Sequence, residues 1–162
     1  MINWNESEIL VDRKSKFQAR CCPIKNQNEI EPILSNLLAL NKSVAKASHP
    51  YMYAWRTADI VTQNDSKNSN SNNKSNKSNK SNSKKTKDLI LPTTYKNVQQ
   101  GCTDGGESGA GQRLLTLLER SNVINAFVIV TRWYGGTPLG SARFRHISTT
   151  AVESLKKAKF LL

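Results

Sequence analysis

Two short stretches hold most of the side chains that could do chemistry. Residues 104–113 read DGGESGAGQR, with carboxylates at Asp104 and Glu107 among the glycines. Residues 130–140 read VTRWYGGTPLG, which sets Arg132 beside Trp133 and Tyr134 and just ahead of Gly135 and Gly136. Arg143, Arg145 and His146 follow at once. A glycine-dense turn before a helix can present backbone N–H groups to an anion. Asp104 and Glu107 oppose that use, because carboxylates repel phosphate, and no Gly-Lys-Ser/Thr follows to make a P-loop. The other reading is a strand-to-helix connection that needs glycine's positive φ, with Asp104 or Glu107 bonded to backbone amides. A partner-recognition surface, or a hydrolase built on the two carboxylates, are further readings of the same turn.

Arg132 has two readings as well. An arginine beside aromatics can hold a phosphate while a ring stacks a base. Alternatively, one aromatic fills the core and Arg132 pairs with Asp104 or Glu107. Strand alternation places Trp133 opposite Arg132 and Tyr134. Arg143 and Arg145 open a helix, where cations oppose the dipole, so they serve either binding or an ion-pair network. With Arg56, Arg113 and Arg132 they could form one basic face. The histidines are His49 and His146 and the cysteines Cys21, Cys22 and Cys102. Adjacent Cys21 and Cys22 point to opposite faces of a strand, as expected of inert buried thiols. No CxxC, GxSxG or HExxH occurs. We expect no catalytic residue, no metal and no cofactor.

The elements that position these residues follow from hydrophobic spacing. Residues 1–14 form a strand or loop lead-in, and Phe17–Ile24 reads as the first clear strand. Asn28 is placed as an N-cap, followed by a helix whose Ile30, Ile33, Leu34, Leu37 and Leu38 share one face. A strand runs from about Tyr51 to Val61. Beyond an insert, residues 95–102 return as a strand, 103–111 turn, and Gln112–Arg120 forms a helix. Asn125–Thr131 (NAFVIVT) is a strand buried on both sides. Residues 135–141 turn, and Arg143–Lys159 forms the last helix. The order β-α-β-(insert)-β-α-β-α predicts an α/β (α+β) two-layer sandwich, with helices on one face of a small sheet.

The insert is residues 63–87, with 8 Asn, 7 Ser and 7 Lys and nothing apolar. Residues 73–81 are three copies of Asn-Lys-Ser. Such a segment cannot offset its ordering entropy, so disorder is expected, in a loop that costs little to close. Half of the net charge of +12 lies in it. The other 137 residues suffice for one domain with a sizeable core. No apolar run is long enough for a membrane span, and no secretory signal is expected. A reducing, cytoplasmic compartment is expected. Lys84-Lys85-Thr86-Lys87 offers a weak nuclear-import signal.

The two motifs together resemble the Impact family. DGGESGAGQR at 104–113 and VTRWYGGTPLG at 130–140 carry the likeness. Ser15-Lys16-Phe17-Gln18-Ala19, Lys46-Ala47-Ser48-His49 and Tyr53-Ala54-Trp55-Arg56 are similar to its upstream signatures. One departure is that Glu107 runs directly into Ser108-Gly109-Ala110-Gly111, where the family's turn is longer. The resemblance implies a fold like domain two of ribosomal protein S5. It also implies a non-catalytic regulator of translation that restrains the amino-acid-starvation kinase by competing for its activator. The chain is expected to be a stand-alone, monomeric Impact domain without the RWD domain of eukaryotic members. Its partner would be a protein in translation-stress signalling or a ribosome-associated complex, with RNA as the competing partner. The expected partner-binding residues are Arg132, Gly135, Gly136, Arg143 and Arg145, shaped by Asp104 and Glu107.

Overall fold

A computed structural model describes residues 2–61 and 94–162. Insert 63–87 and the basic run at 84–87 lie outside the described residues. The chain divides into two compact units, one of residues 1–57 with 99–162 and one of residues 58–98. In the second, the described parts are strand ends, where Asn97 Nδ2 donates to Asp59 Oδ2 at 2.7 Å.

Strands β1 (Asn5–Glu6), β2 (Leu10–Asp12), β3 (Ser15–Pro23), β4 (His49–Val61), β5 (Thr94–Thr103) and β6 (Ala126–Trp133) make one sheet. Its order is β1-β3-β6-β4-β5, with β2 also on β3. The pairs β3–β6 and β4–β6 are antiparallel. Helices α1 (Ile30–Leu40), α2 (Lys42–Ala45), α3 (Ala110–Arg120) and α4 (Ala142–Lys157) complete the fold. Among the described residues, no helix is long and apolar enough to cross a membrane.

β6 sits centrally, and its apolar run is buried as expected: Val128 is 0% and Ile129 1% exposed. Each such side chain contributes roughly 1.5–3 kcal/mol on burial. Alternation sends Ala126, Val128 and Val130 into one cluster with Leu114, Leu118, Ile147, Ala151 and Leu155 of α3 and α4. Phe127 and Ile129 enter a second cluster with Ile30, Ile33, Leu37 and Val44 of α1 and α2. The mixed α/β class and the small sheet are as expected, but the helices occupy both faces rather than one. A central strand apolar at every position from Ala126 to Val130 needs cover on both sides there.

Local starts differ too. The N-cap is Asn26, not Asn28: Asn26 Oδ1 accepts from Asn28 N at 2.9 Å, and Glu29 Oε2 accepts from Asn26 N at 3.2 Å. That capping box opens a 3-10 turn over Gln27–Glu29 that runs into α1. β6 extends to Trp133, so Arg132 is a strand residue.

Cys21 joins the first cluster and Cys22 the second, on opposite faces as expected. Cys102 is only partly covered. Burial pushes the Cys22 thiol from 9.0 up to about 12. In the unfolded chain that thiol ionises first, so across this window the unfolded state binds fewer protons and stability falls as pH rises. The slope approaches about 1.4 kcal/mol per pH unit. Cys22→Ala should therefore flatten the alkaline loss of stability, read from urea midpoints across the window.

Candidate functional site

The site forms where the end of β6 meets the glycine-rich loop. Arg132 pairs in register with Phe17 on β3 and His49 on β4. A register shift between His49 and Met52 marks a bulge in β4, a common way to redirect a strand beside a site. The loop after β5 folds over this strand end. Gly105 makes that possible: at φ +58°, a Cβ there would lie 2.4 Å from Tyr51 O. A side chain at this position would be strained and would collide with β4.

At the centre is Glu107, only 5% exposed. Arg132 Nη1 donates to its Oε2. Arg143 Nε lies 3.2 Å from Oε1, an ion pair without hydrogen-bond geometry. His49 Nε2 is 3.7 Å from Oε2, while its Nδ1 meets Gly105 O at 3.2 Å. The Arg132 guanidinium, itself buried, also donates from Nη2 to Ser15 Oγ at 3.3 Å. It lies 5.2 Å from the ring centroids of both Phe17 and Tyr134. One buried carboxylate thus gathers the buried Arg132 guanidinium and, at the rim of the site, the half-buried Arg143 guanidinium and His49 imidazole. Removing it would leave uncompensated charge, so the arrangement ties loop, sheet and α4 together.

Asp104 has a different task. Its Oδ2 accepts from Gly109 N at 3.1 Å and its Oδ1 from Gly111 N at 2.8 Å. The N-cap of α3 is Gly109, which has no side chain, and Asp104 supplies the missing acceptor from five residues upstream. A cap of this kind is worth about 1 kcal/mol. The amides that could have cradled an external anion bond instead to the chain's own carboxylate.

The structure brings Glu107, Arg132 and Arg143 together, which is the pairing alternative for Arg132. Gly135 belongs to the same assembly through Ser15, whose Oγ accepts from Gly135 N at 3.0 Å. Gly136 is exposed in the following turn. Arg145 stands apart from Glu107, exposed, with its charge felt at Asp12. His146 Nε2 donates to Asp12 Oδ2 at 2.7 Å, and this bond holds the Asp12 carboxyl below its ordinary range. Arg113 and Arg143 both lie over the Phe144 ring, but among the described residues Arg56 and Arg132 do not extend that cluster into one basic face. Arg132 is buried, and Arg56 gives its donors to Gln100 Oε1 and Val123 O. Trp133 is half-buried against the α1–α2 cluster and donates from Nε1 to Ser43 O at 2.9 Å.

Ser15, Ser48 and His49 were not among the expected site residues. Ser48 Oγ accepts from Tyr134 N at 2.8 Å. Their signal was positional: all three fall in the upstream strings Ser15–Ala19 and Lys46–His49, whose purpose is to hold this strand end.

A profile of the Impact N-terminal domain matches residues 13–155. IMPACT family member YDL177C of Saccharomyces cerevisiae is 62% identical over 158 residues, covering 98% of this chain and 93% of that protein. Protein IMPACT of Homo sapiens is 34% identical over 142 residues, which span 88% of this chain but only 33% of the human protein. Among solved structures, the two-domain translational regulator Yih1 superposes with a TM-score of 0.51 at 29% identity, over 96% of this chain and 46% of that one. A second, described as a hypothetical protein, shares the fold with a TM-score of 0.56 at 18% identity, over 96% of this chain and 61% of that one.

Proposed function

The chain belongs to the Impact family, whose N-terminal-domain profile spans residues 13–155, and from that premise we propose a non-catalytic adaptor in translation control. It acts by protein–protein contact and restrains the amino-acid-starvation kinase pathway. The likeness to Yih1, described as a translational regulator, supports the direction of this reading. The observation that carries it is Tyr134. This ring is 48% exposed yet anchored, by its backbone bond to Ser48 and by the Arg132 guanidinium behind it. A large exposed aromatic on an anchored backbone, beside the exposed turn at Gly136, is the kind of residue that dominates protein interfaces. Arg143 and Arg145 supply charge to the same partner, while Arg132, Gly135, Asp104 and Glu107 hold the surface in shape. In a hydrolase, Glu107 would need a free oxygen, whereas both of its oxygens face guanidiniums.

The test is affinity purification from native lysate, with and without nuclease, comparing the parent chain with Tyr134→Ala/Arg145→Glu. The expected result is a nuclease-resistant translation-stress partner whose recovery drops at least ~10-fold with the variant, the scale of a lost interface anchor. Equal recovery by parent and variant would refute the surface. Release of everything by nuclease would refute direct protein contact.

A further inference from the structure

A second surface lies on the other side of β3. Alternation sends Phe17, Ala19 and Cys21 to the α3–α4 cluster. Lys16, Gln18 and Arg20 therefore face the α1–α2 side, where Cys22 begins the packed region. The helices on that side cover only the Cys22 end of the strand. The uncovered end is a groove of about 510 Å³ whose lining includes Lys14, Lys16, Gln18, Arg20, Ser43 and Trp133. That volume falls within the ~300–1,000 Å³ usual for ligand sites.

The lining has a definite chemistry. Among the described residues it contains three cations and no carboxylate. Among the described residues, Lys14 and Lys16 have no ion-pair partner, and both are exposed. Arg20 is buried in the floor; its Nε donates to Glu6 Oε2 at 2.9 Å, but among the described residues its buried Nη1 has no acceptor. Trp133 lies directly across from Lys16 in the β3–β6 register. The indole N–H is already given to Ser43 O, so what the ring can offer a ligand is its surface, through stacking rather than hydrogen bonding. Unpaired cations beside an aromatic with no free donor suit a phosphate chain carrying flat bases. An acidic peptide would use the lysines but would have no use for a ring that offers only stacking.

We infer that this groove binds single-stranded RNA, with phosphates on Lys14 and Lys16 and a base stacked on Trp133. This goes beyond the protein-contact reading and does not depend on it, because the test needs only the purified chain and a synthetic oligonucleotide. Recognition by charge and stacking tolerates any sequence, so labelled U12 RNA is a sufficient probe, read by fluorescence anisotropy across a salt series. Two phosphate contacts predict a slope of log K against log salt of about −1.4 from the groove. Lys14→Glu/Lys16→Glu should weaken binding ~10-fold or more and flatten that slope.

The insert carries lysines of its own, so Lys84→Glu/Lys85→Glu serves as the charge-matched control and should cost much less. Trp133→Leu should weaken binding at least ~5-fold, and Trp133→Phe should recover part of it, with melting curves confirming folded protein. The inference fails if the groove variants stay within twofold of the parent, or if the insert control loses as much. It also fails if polyglutamate or inorganic polyphosphate displaces U12 as well as unlabelled U12 does, since the groove would then recognise charge alone.

Discussion

Glu107→Gln should lower the melting temperature by on the order of 10 °C. The glutamine keeps the size and one acceptor, so a hydrogen bond from Arg132 can persist. What it removes is the negative charge that Arg132 and Arg143 share, with His49 beside them. Arg132 is only 4% exposed and cannot recover its hydration where it stands. Breaking a buried ion pair by deleting one partner costs about 3–5 kcal/mol. For a chain of this size, each kcal/mol moves the melting point by roughly 2–4 °C or somewhat more. Thermal unfolding followed by circular dichroism measures this directly. A melting point within about 2 °C of the parent would show that the carboxylate contributes little to folding. Such a variant, folded normally yet inactive toward some substrate, would revive the hydrolase reading.

Gly135→Ala should be comparably damaging, for a steric rather than an electrostatic reason. A Cβ on Gly135 would lie 2.2 Å from the Lys14 carbonyl carbon, 2.4 Å from its oxygen and 2.5 Å from Ser15 N. These are backbone atoms of the β2–β3 turn, so no side chain can swing aside. Separating the two segments would also stretch the bond from Gly135 N to Ser15 Oγ, and through Ser15 the Arg132 guanidinium. Forced overpacking costs typically 1–3 kcal/mol, and the lost hydrogen bonds add to it. We expect a total above ~3 kcal/mol, visible as a shifted urea midpoint. Gly136→Ala is the informative comparison: nothing lies within 4 Å of the added Cβ, and only its φ of +98° resists the change. If Gly135→Ala were the milder of the two, close packing against the turn would not be the reason for glycine there.

The residues of this site are legible in the sequence because their types are unusual for their places. A carboxylate among glycines, an arginine in an apolar strand and arginines at a helix start each violate a local preference, and each violation led to Glu107, Arg132 or Arg143. The buried run from Ala126 to Val130, the helices and the opposed faces of Cys21 and Cys22 followed equally directly from periodicity, which is a local property of the chain. The layering did not. Alternation shows that β6 has two apolar faces, yet the assignment of α1 to one and α3 with α4 to the other depends on chain connections that periodicity does not encode. Nor could spacing reveal whether Arg132 reaches out to a ligand or inward to Glu107. Those residues are separated by a helix and a strand, and only the closing of the loop over the end of β6 brings them into contact. For the same reason Arg56 and Arg132 turn their donors inward rather than onto a shared basic face, while Lys14, Lys16 and Trp133 came together unannounced. A sequence reports which side chains carry charge; whether that charge is spent inside or left for a partner is decided by what the fold places next to it.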